Sequence, residues 1–275
     1  MLTIDAHKFA CEVCETYAEY RFRDMPATSV AQTNLQLYNQ MLAQGRSIEE
    51  LARAKSAYVL ACLIYAAHYQ ADGKPFVAHT VGVASILCDL GLPIEVIAFG
   101  LVHNIYGNGD FGDGRRHRST PARRRRVREA VGPEVEALVH RFRHFRITSK
   151  TIDRIEAELD SYGDLERYLV LTDLADHLEK YVDDGVLYFG DSAWVTDEVT
   201  LYGDRMVLMA ERLGQPRLAE MLRQGFTEVA GKPMAPQFLR QGGQKYLGMT
   251  MPLSASKRLY PRLVAWRQRR KRRTK

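Results

Sequence analysis

The feature that most restricts this chain is a helical spacing of apolar residues over nearly its whole length, with no sustained alternation of apolar and polar positions. Stripes of that kind are buried by packing helix on helix, so an all-α fold is expected. Ser47-Ile-Glu-Glu50 reads as a capping box opening a helix to about Ala71. Apolar residues wrap much of that helix, which marks it as central. Asp72-Gly73-Lys74-Pro75 is a turn, and Gly91-Leu92-Pro93 separates two apolar helices expected at about 79–89 and 93–106. The four glycines between Gly107 and Gly114 demand a loop, and Gly132-Pro133 divides helices at about 122–130 and 133–145. Further helices are expected at about 152–159, 165–182, 196–213 and 216–225. An N-terminal helix at about 5–24, capped by Asp5 and ended before Pro26, and a short closing helix near 260–270 complete the pattern.

Charge is distributed unevenly. The formal net charge is +6, yet Arg267 to Lys275 alone carries seven basic residues and no acid. Eight more arginines lie between Arg115 and Arg128, so the rest of the chain is net acidic. The C-terminal run suits nonspecific contact with a polyanion through charge alone, which salt would weaken. The most apolar runs stop well short of the ~20 residues a membrane helix needs. Four cysteines and no basic start followed by an apolar stretch point to the cytoplasm. Cys11 and Cys14 read as small thiols on one helix face, since no second pair completes a zinc clip.

Imidazole and acid groups recur in a suggestive order: Phe76-Val-Ala-His79, Leu101-Val-His103-Asn104, Asn108-Gly-Asp110 and Leu174-Ala-Asp176-His177. Each histidine taken singly reads better as a satisfied polar residue. Three ligands on separate helices can also converge in a bundle core, and imidazole with carboxylate suits Mn, Fe, Zn or Mg.

From about Ala52 to Val182 the order and spacing of these motifs resemble an HD-superfamily domain, nearest the hydrolase domain of RelA/SpoT-type alarmone enzymes. That family carries a turn ending in an aromatic and a histidine, a Leu-Leu-His-Asp step, a Phe-Gly-x-Glu-Val stretch and a final Leu-Ala-Asp. Here stand Gly73-Lys-Pro-Phe-Val-Ala-His79, Gly100-Leu-Val-His-Asn104, Val131-Gly-Pro-Glu-Val135 and Leu174-Ala-Asp176. Ile105-Tyr106-Gly107-Asn108 is similar to a narrower HD-like group in which His-Asp is replaced and a Tyr-Gly loop follows. The resemblance implies an HD-like helical bundle over residues 47–226, an N-terminal helical extension over 1–46, and an irregular C-terminal region with a basic tail over 227–275.

The resemblance also assigns roles. His79, His103, Asn104 and Asp176 stand where the family holds a divalent metal, expected here to be Mn, Fe or Mg. Asn104 puts a neutral amide where the family has a carboxylate. The family's Glu-Asp pair, implicated in activating water, falls on Gly107 and Asn108, and glycine can move no proton. Asp110, or Asp173 one turn before Asp176, is the available substitute beside Asn108. Lys180 stands where the alarmone hydrolases have a nucleotide-holding asparagine. Arg115, Arg116 and Arg125 can hold an anionic substrate over the pocket, or form a solvated face. The expected function is metal-dependent phosphohydrolysis of a nucleotide-like or other phosphorylated small molecule, not alarmone hydrolysis itself. The alternatives are an inactive HD-like module that senses an anionic ligand, and a nucleic-acid-associated protein acting through its tail.

Overall fold

The computed structural model describes residues 30–113, 117–190 and 198–232. The expected helices at 5–24 and 260–270, Cys11, Cys14, Arg115, Arg116 and the basic tail lie outside the described residues. Within them the fold is all-α: no strand forms, and β pairing is limited to an isolated bridge between Tyr69 and Pro75. No described helix is long and apolar enough to cross a membrane.

Helix α1 (Asn34–Ala43) begins at a reciprocal cap, in which Gln36 N–H donates to Thr33 Oγ1 and Thr33 N–H donates to Gln36 Oε1. It buries Leu37 and Met41, and Ala31 N–H donates to Ser85 Oγ at 2.9 Å. Residues 31–46 thus pack with the bundle, whose compact unit begins at Ala31. Helix α2 (Ile48–Ile64) opens at the Ser47–Glu50 capping box read from the sequence. Its burial is one-sided, through Ala54, Ala57, Leu60, Ala61 and Ile64, while Val59 and Leu63 face outward. It is therefore a flanking helix. It also stops short of Ala71, because Ala67 takes a left-handed backbone (φ 61°) and the chain turns into the Tyr69–Pro75 bridge.

The centre belongs to α3 (Phe76–Asp89) and α4 (Ile94–Val102). From His79 to Cys88 every residue of α3 is buried, and in α4 every residue except Glu95. Their close approach depends on Gly100: a Cβ there would lie 2.7 Å from Leu87 Cδ1 and 3.1 Å from Ala84 Cα. The single turn α5 (Ile105–Asn108) follows. Helices α6 (Pro121–Val131) and α7 (Pro133–Phe142) meet at Gly132, whose φ of 89° ends the first before a proline opens the second.

A loop then leads to α8 (Ile152–Glu158) and α9 (Asp164–Glu179), whose C-terminal half from Leu169 onward is buried on all sides. A 3-10 segment (Val182–Tyr188) carries two successive left-handed residues, Asp183 and Asp184. The π-turn Glu198–Tyr202 leads into α10 (Gly203–Arg212), and α11 (Pro216–Val229) closes the described chain. Phe226 of α11 packs edge-on against Tyr181 at the end of α9, centroids 4.8 Å apart.

Candidate metal centre

Three side chains from distant parts of the chain meet in the core. His79 sits on the first turn of α3, His103 closes the C-terminal end of α4, and Asp176 lies on the buried half of α9. Each is no more than 2% exposed, and one ligand atom from each falls within 4.8 Å of the other two. His79 Nε2 lies 2.9 Å and His103 Nε2 3.5 Å from the same oxygen, Asp176 Oδ1. His103 Nε2 and Asp176 Oδ1 are buried without a hydrogen bond of good geometry.

The far side of each ring explains why these atoms face one another. His103 Nδ1 lies 2.7 Å from the Gly100 carbonyl oxygen, which can only accept, so this nitrogen carries the proton. His79 Nδ1 contacts Glu179 Oε2, whose other oxygen takes Lys74 Nζ at 2.8 Å and Gln32 Nε2 at 3.3 Å. Glu179 is itself buried, and as a carboxylate it too accepts. Both histidines therefore present Nδ1 to an acceptor and aim Nε2 at Asp176 Oδ1. His103 Nε2 and Asp176 Oδ1 are left without a hydrogen bond of good geometry, which costs roughly 1–3 kcal/mol for each unsatisfied group, and a cation removes that cost. Carboxylate or carbonyl acceptance at Nδ1 is also how metal-bound imidazoles are oriented. The residues fit a divalent ion.

The electrostatics agree. Burial pushes His103 below the usual imidazole range, with Asp176 offsetting only part, so this ring stays in its neutral, ligating form. For His79 burial acts in the same direction, but Glu179 and Asp176 outweigh it and the net shift is upward. A proton and a metal ion answer the same demand at its Nε2, and ion binding displaces the proton. Burial would raise Asp176, yet Lys180 and Arg146 hold it well below the carboxylate range.

The second oxygen of Asp176 faces cations of the protein itself. Arg146, in the loop before α8, places Nη2 on Asp176 Oδ2, Nε 2.6 Å from Asp173 Oδ1 and Nη1 3.1 Å from Asn104 Oδ1. Its guanidinium lies over the Phe142 ring, 4.9 Å from the centroid. Lys180 Nζ stands 3.4 Å from Asp176 Oδ2. The Ile147 N–H donates to Asp173 Oδ2. Three acids (Asp173, Asp176, Glu179) thus face three cations (Arg146, Lys180, Lys74) around the cluster.

Of the residues read from the sequence, His79, His103 and Asp176 come together and Lys180 joins them. Asn104 is engaged through its amide oxygen by Arg146. Asn108 and Asp110 are exposed, and Asp110 Oδ1 accepts the Gly112 N–H at 2.8 Å, a turn-stabilising bond. Arg125 is also exposed, with its nearest ion-pair partner Glu129 at 3.9 Å. Glu179, Lys74 and Arg146 were not read as site residues. Glu179 stands three residues after Asp176 and hence on the same helix face, a signal open to sequence reasoning. Arg146 belongs to no motif and carries none.

A family model described as "Domain of unknown function (DUF6817)" matches residues 62–146, a stretch that includes His79, His103 and Asn104 and ends on Arg146. No curated protein matches the chain.

Proposed function

We propose that this chain is a divergent HD-type protein that holds one divalent ion, Mn, Fe or Mg, on His79, His103 and Asp176, and acts on a phosphorylated small molecule as a metal-assisted phosphohydrolase. The observation that carries the reading is the convergence of two imidazole Nε2 atoms and one carboxylate oxygen in the core, each ring braced from behind. A divalent ion supplies Lewis acidity toward a phosphoryl oxygen and an activated water. The chain supplies the rest: Glu179 and the Gly100 carbonyl fix the two rings, and Lys180 offers positive charge beside the ion. The order of the sequence motifs, from the Phe-Val-Ala-His turn to Leu-Ala-Asp, supports the HD kinship.

A second reading is favoured by a specific observation. Asn108 and Asp110 are exposed, and Asp173 is held by Arg146 and the Ile147 N–H, so none of these three stands free beside the cluster. On that reading the protein binds an anionic ligand without turning it over. Metal analysis of the purified wild-type protein and His103→Ala separates the outcomes. About one ion per chain in the first and a clear loss in the second is expected, and equal metal content in both overturns the centre. A screen of phosphorylated metabolites with Mn²⁺ then decides between turnover, expected for the hydrolase, and binding alone. We place the protein in the cytoplasm, where residues 267–275 make salt-sensitive contact with polyanions. Deletion after Trp266 should abolish that contact, and unchanged binding rejects it.

A further inference from the structure

The centre contains a cation that neither the metal reading nor the sequence motifs call for. The Arg146 guanidinium holds Oδ2 of the same carboxylate whose Oδ1 faces His79 and His103. Among the side chains that touch Asp176 it is the most exposed, at 30% against 13% for Lys180 and 1% or less for the two histidines. It therefore stands between the buried cluster and solvent. A divalent ion on Asp176 Oδ1 adds two positive charges next to a guanidinium and the Lys180 ammonium. At such separations in a poorly solvated site the repulsion is large. An incoming dianion relieves it, and a planar guanidinium is the side chain best matched to a phosphate's paired oxygens.

We propose that Arg146 is the anion-recognition residue of this centre and that it makes metal and phosphate binding mutually reinforcing, an inference that rests on the metal reading above. An ion on Asp176 Oδ1 weakens the hold of Oδ2 on the guanidinium and turns it toward the solvent side, where it receives a phosphate or phosphomonoester. The turn gives up the Asp173 Oδ1 contact but leaves other bonds in place. Asp173 keeps the Ile147 N–H, Asp176 keeps Lys180, and the Arg146 carbonyl stays anchored by Thr151 Oγ1 at 2.5 Å. Asn104 belongs to the same device. A neutral amide accepts one guanidinium N–H where a third carboxylate, beside Asp173 and Asp176, would hold the arginine harder. By linkage, whatever factor the ion adds to phosphate affinity, phosphate adds to ion affinity.

The test is an equilibrium Mn²⁺ titration of the full chain, with free Mn²⁺ read directly by electron paramagnetic resonance so that chelation by the anion is not counted. It is run with methylphosphonate, which cannot be turned over, and with chloride at matched ionic strength. In the wild type, methylphosphonate is expected to tighten Mn²⁺ binding about tenfold, within the usual range of coupling between sites, while chloride has no effect. Arg146→Lys, which keeps the charge but loses the fork, is expected to lose most of the tightening, measured against its own affinity for Mn²⁺ with chloride. Its thermal melt is measured alongside. If Arg146→Lys is unfolded, the wild-type comparison decides alone. Mn²⁺ binding that ignores methylphosphonate, or equal tightening in a folded Arg146→Lys, overturns the Arg146 proposal and leaves the metal centre standing. No Mn²⁺ binding by the wild type overturns both.

Discussion

Two arginine-bearing regions behave in opposite ways. Helix α6 carries a dense run, Arg123 to Arg126 and Arg128, and almost all of it serves the fold. Arg123 is buried against Asp113 and the Arg118 carbonyl. Arg124 and Arg128 converge on Glu136 of α7, which also accepts the Tyr106 O–H at 3.0 Å. The Arg123 and Arg126 guanidiniums lie 4.4 and 5.9 Å from the Phe111 ring centroid. The loop before α8 contributes a single arginine to the centre, and it touches three residues of the candidate site. A count of positive charge along the chain therefore does not single out Arg146. What separates the two regions is the partner: Glu136 closes a polar knot, whereas Asp176 has a second oxygen facing two imidazoles.

The contrast can be broken by removing one acid from each region. Asp176→Ala leaves Arg146 and Lys180 without their shared carboxylate and takes away a ligand. A loss of about 3 kcal/mol in chemical denaturation is expected, the lower end for a broken buried pair because Arg146 is partly wet, together with loss of bound metal. Glu136→Ala removes a carboxylate as deeply buried, but Arg124 and Arg128 are a third and a half exposed and rehydrate. About 2 kcal/mol is expected there, with metal content unchanged; a fall in metal content in this variant would erase the distinction.

Glu136 also carries a pH signature. Burial alone would raise it, but Arg124, Arg128 and Tyr106 outweigh burial and hold it below its ordinary value of 4.5. A depressed folded-state pKa gives stability that is present above the unfolded value and lost as pH falls through the folded one. Acid unfolding below about pH 4.5 should therefore be less steep in Glu136→Ala than in the wild type. Glu179→Gln sharpens the comparison from the other side. It releases His79 from its brace and should weaken Mn²⁺ binding about 10- to 100-fold in direct titration; an unchanged constant would mean that Glu179 is merely a partner for Lys74. The smallest effect is expected for Arg125→Ala, an exposed member of α6: within about 0.5 kcal/mol in stability, and no change in metal or methylphosphonate binding.

Much of this was open to reading in the sequence, for definite reasons. The Ser47–Glu50 box, the Asp72-Gly73 turn and the Gly132-Pro133 break each carry a backbone requirement that few residues meet, and each falls where it was read. His79, His103 and Asp176 were legible because their neighbours form recognisable local patterns. The length of α2 was not, since what ends it is an alanine in the left-handed region, with no marker in residue type. Helix α1 was passed over although Thr33 and Gln36 spell its cap. It is short, only Leu37 and Met41 are buried, and its burial comes from α3, far along the chain. Arg146 is the extreme case. Its role rests on contacts 27 to 42 residues away, with Asp173, Asp176 and Asn104, which no local window contains.

Gly100 ties the packing of the core to the aim of its chemistry. The residue that lets α4 lie against Ala84 and Leu87 also offers the carbonyl that holds the His103 ring. Any side chain at that position wedges the two helices apart and swings the imidazole by a comparable distance, while contacts elsewhere in the bundle survive. On the proposed metal reading, ion loading is a finer gauge of the α3–α4 seam than any melting curve, and a variant that still looks native by helix content is expected to lose the ion first.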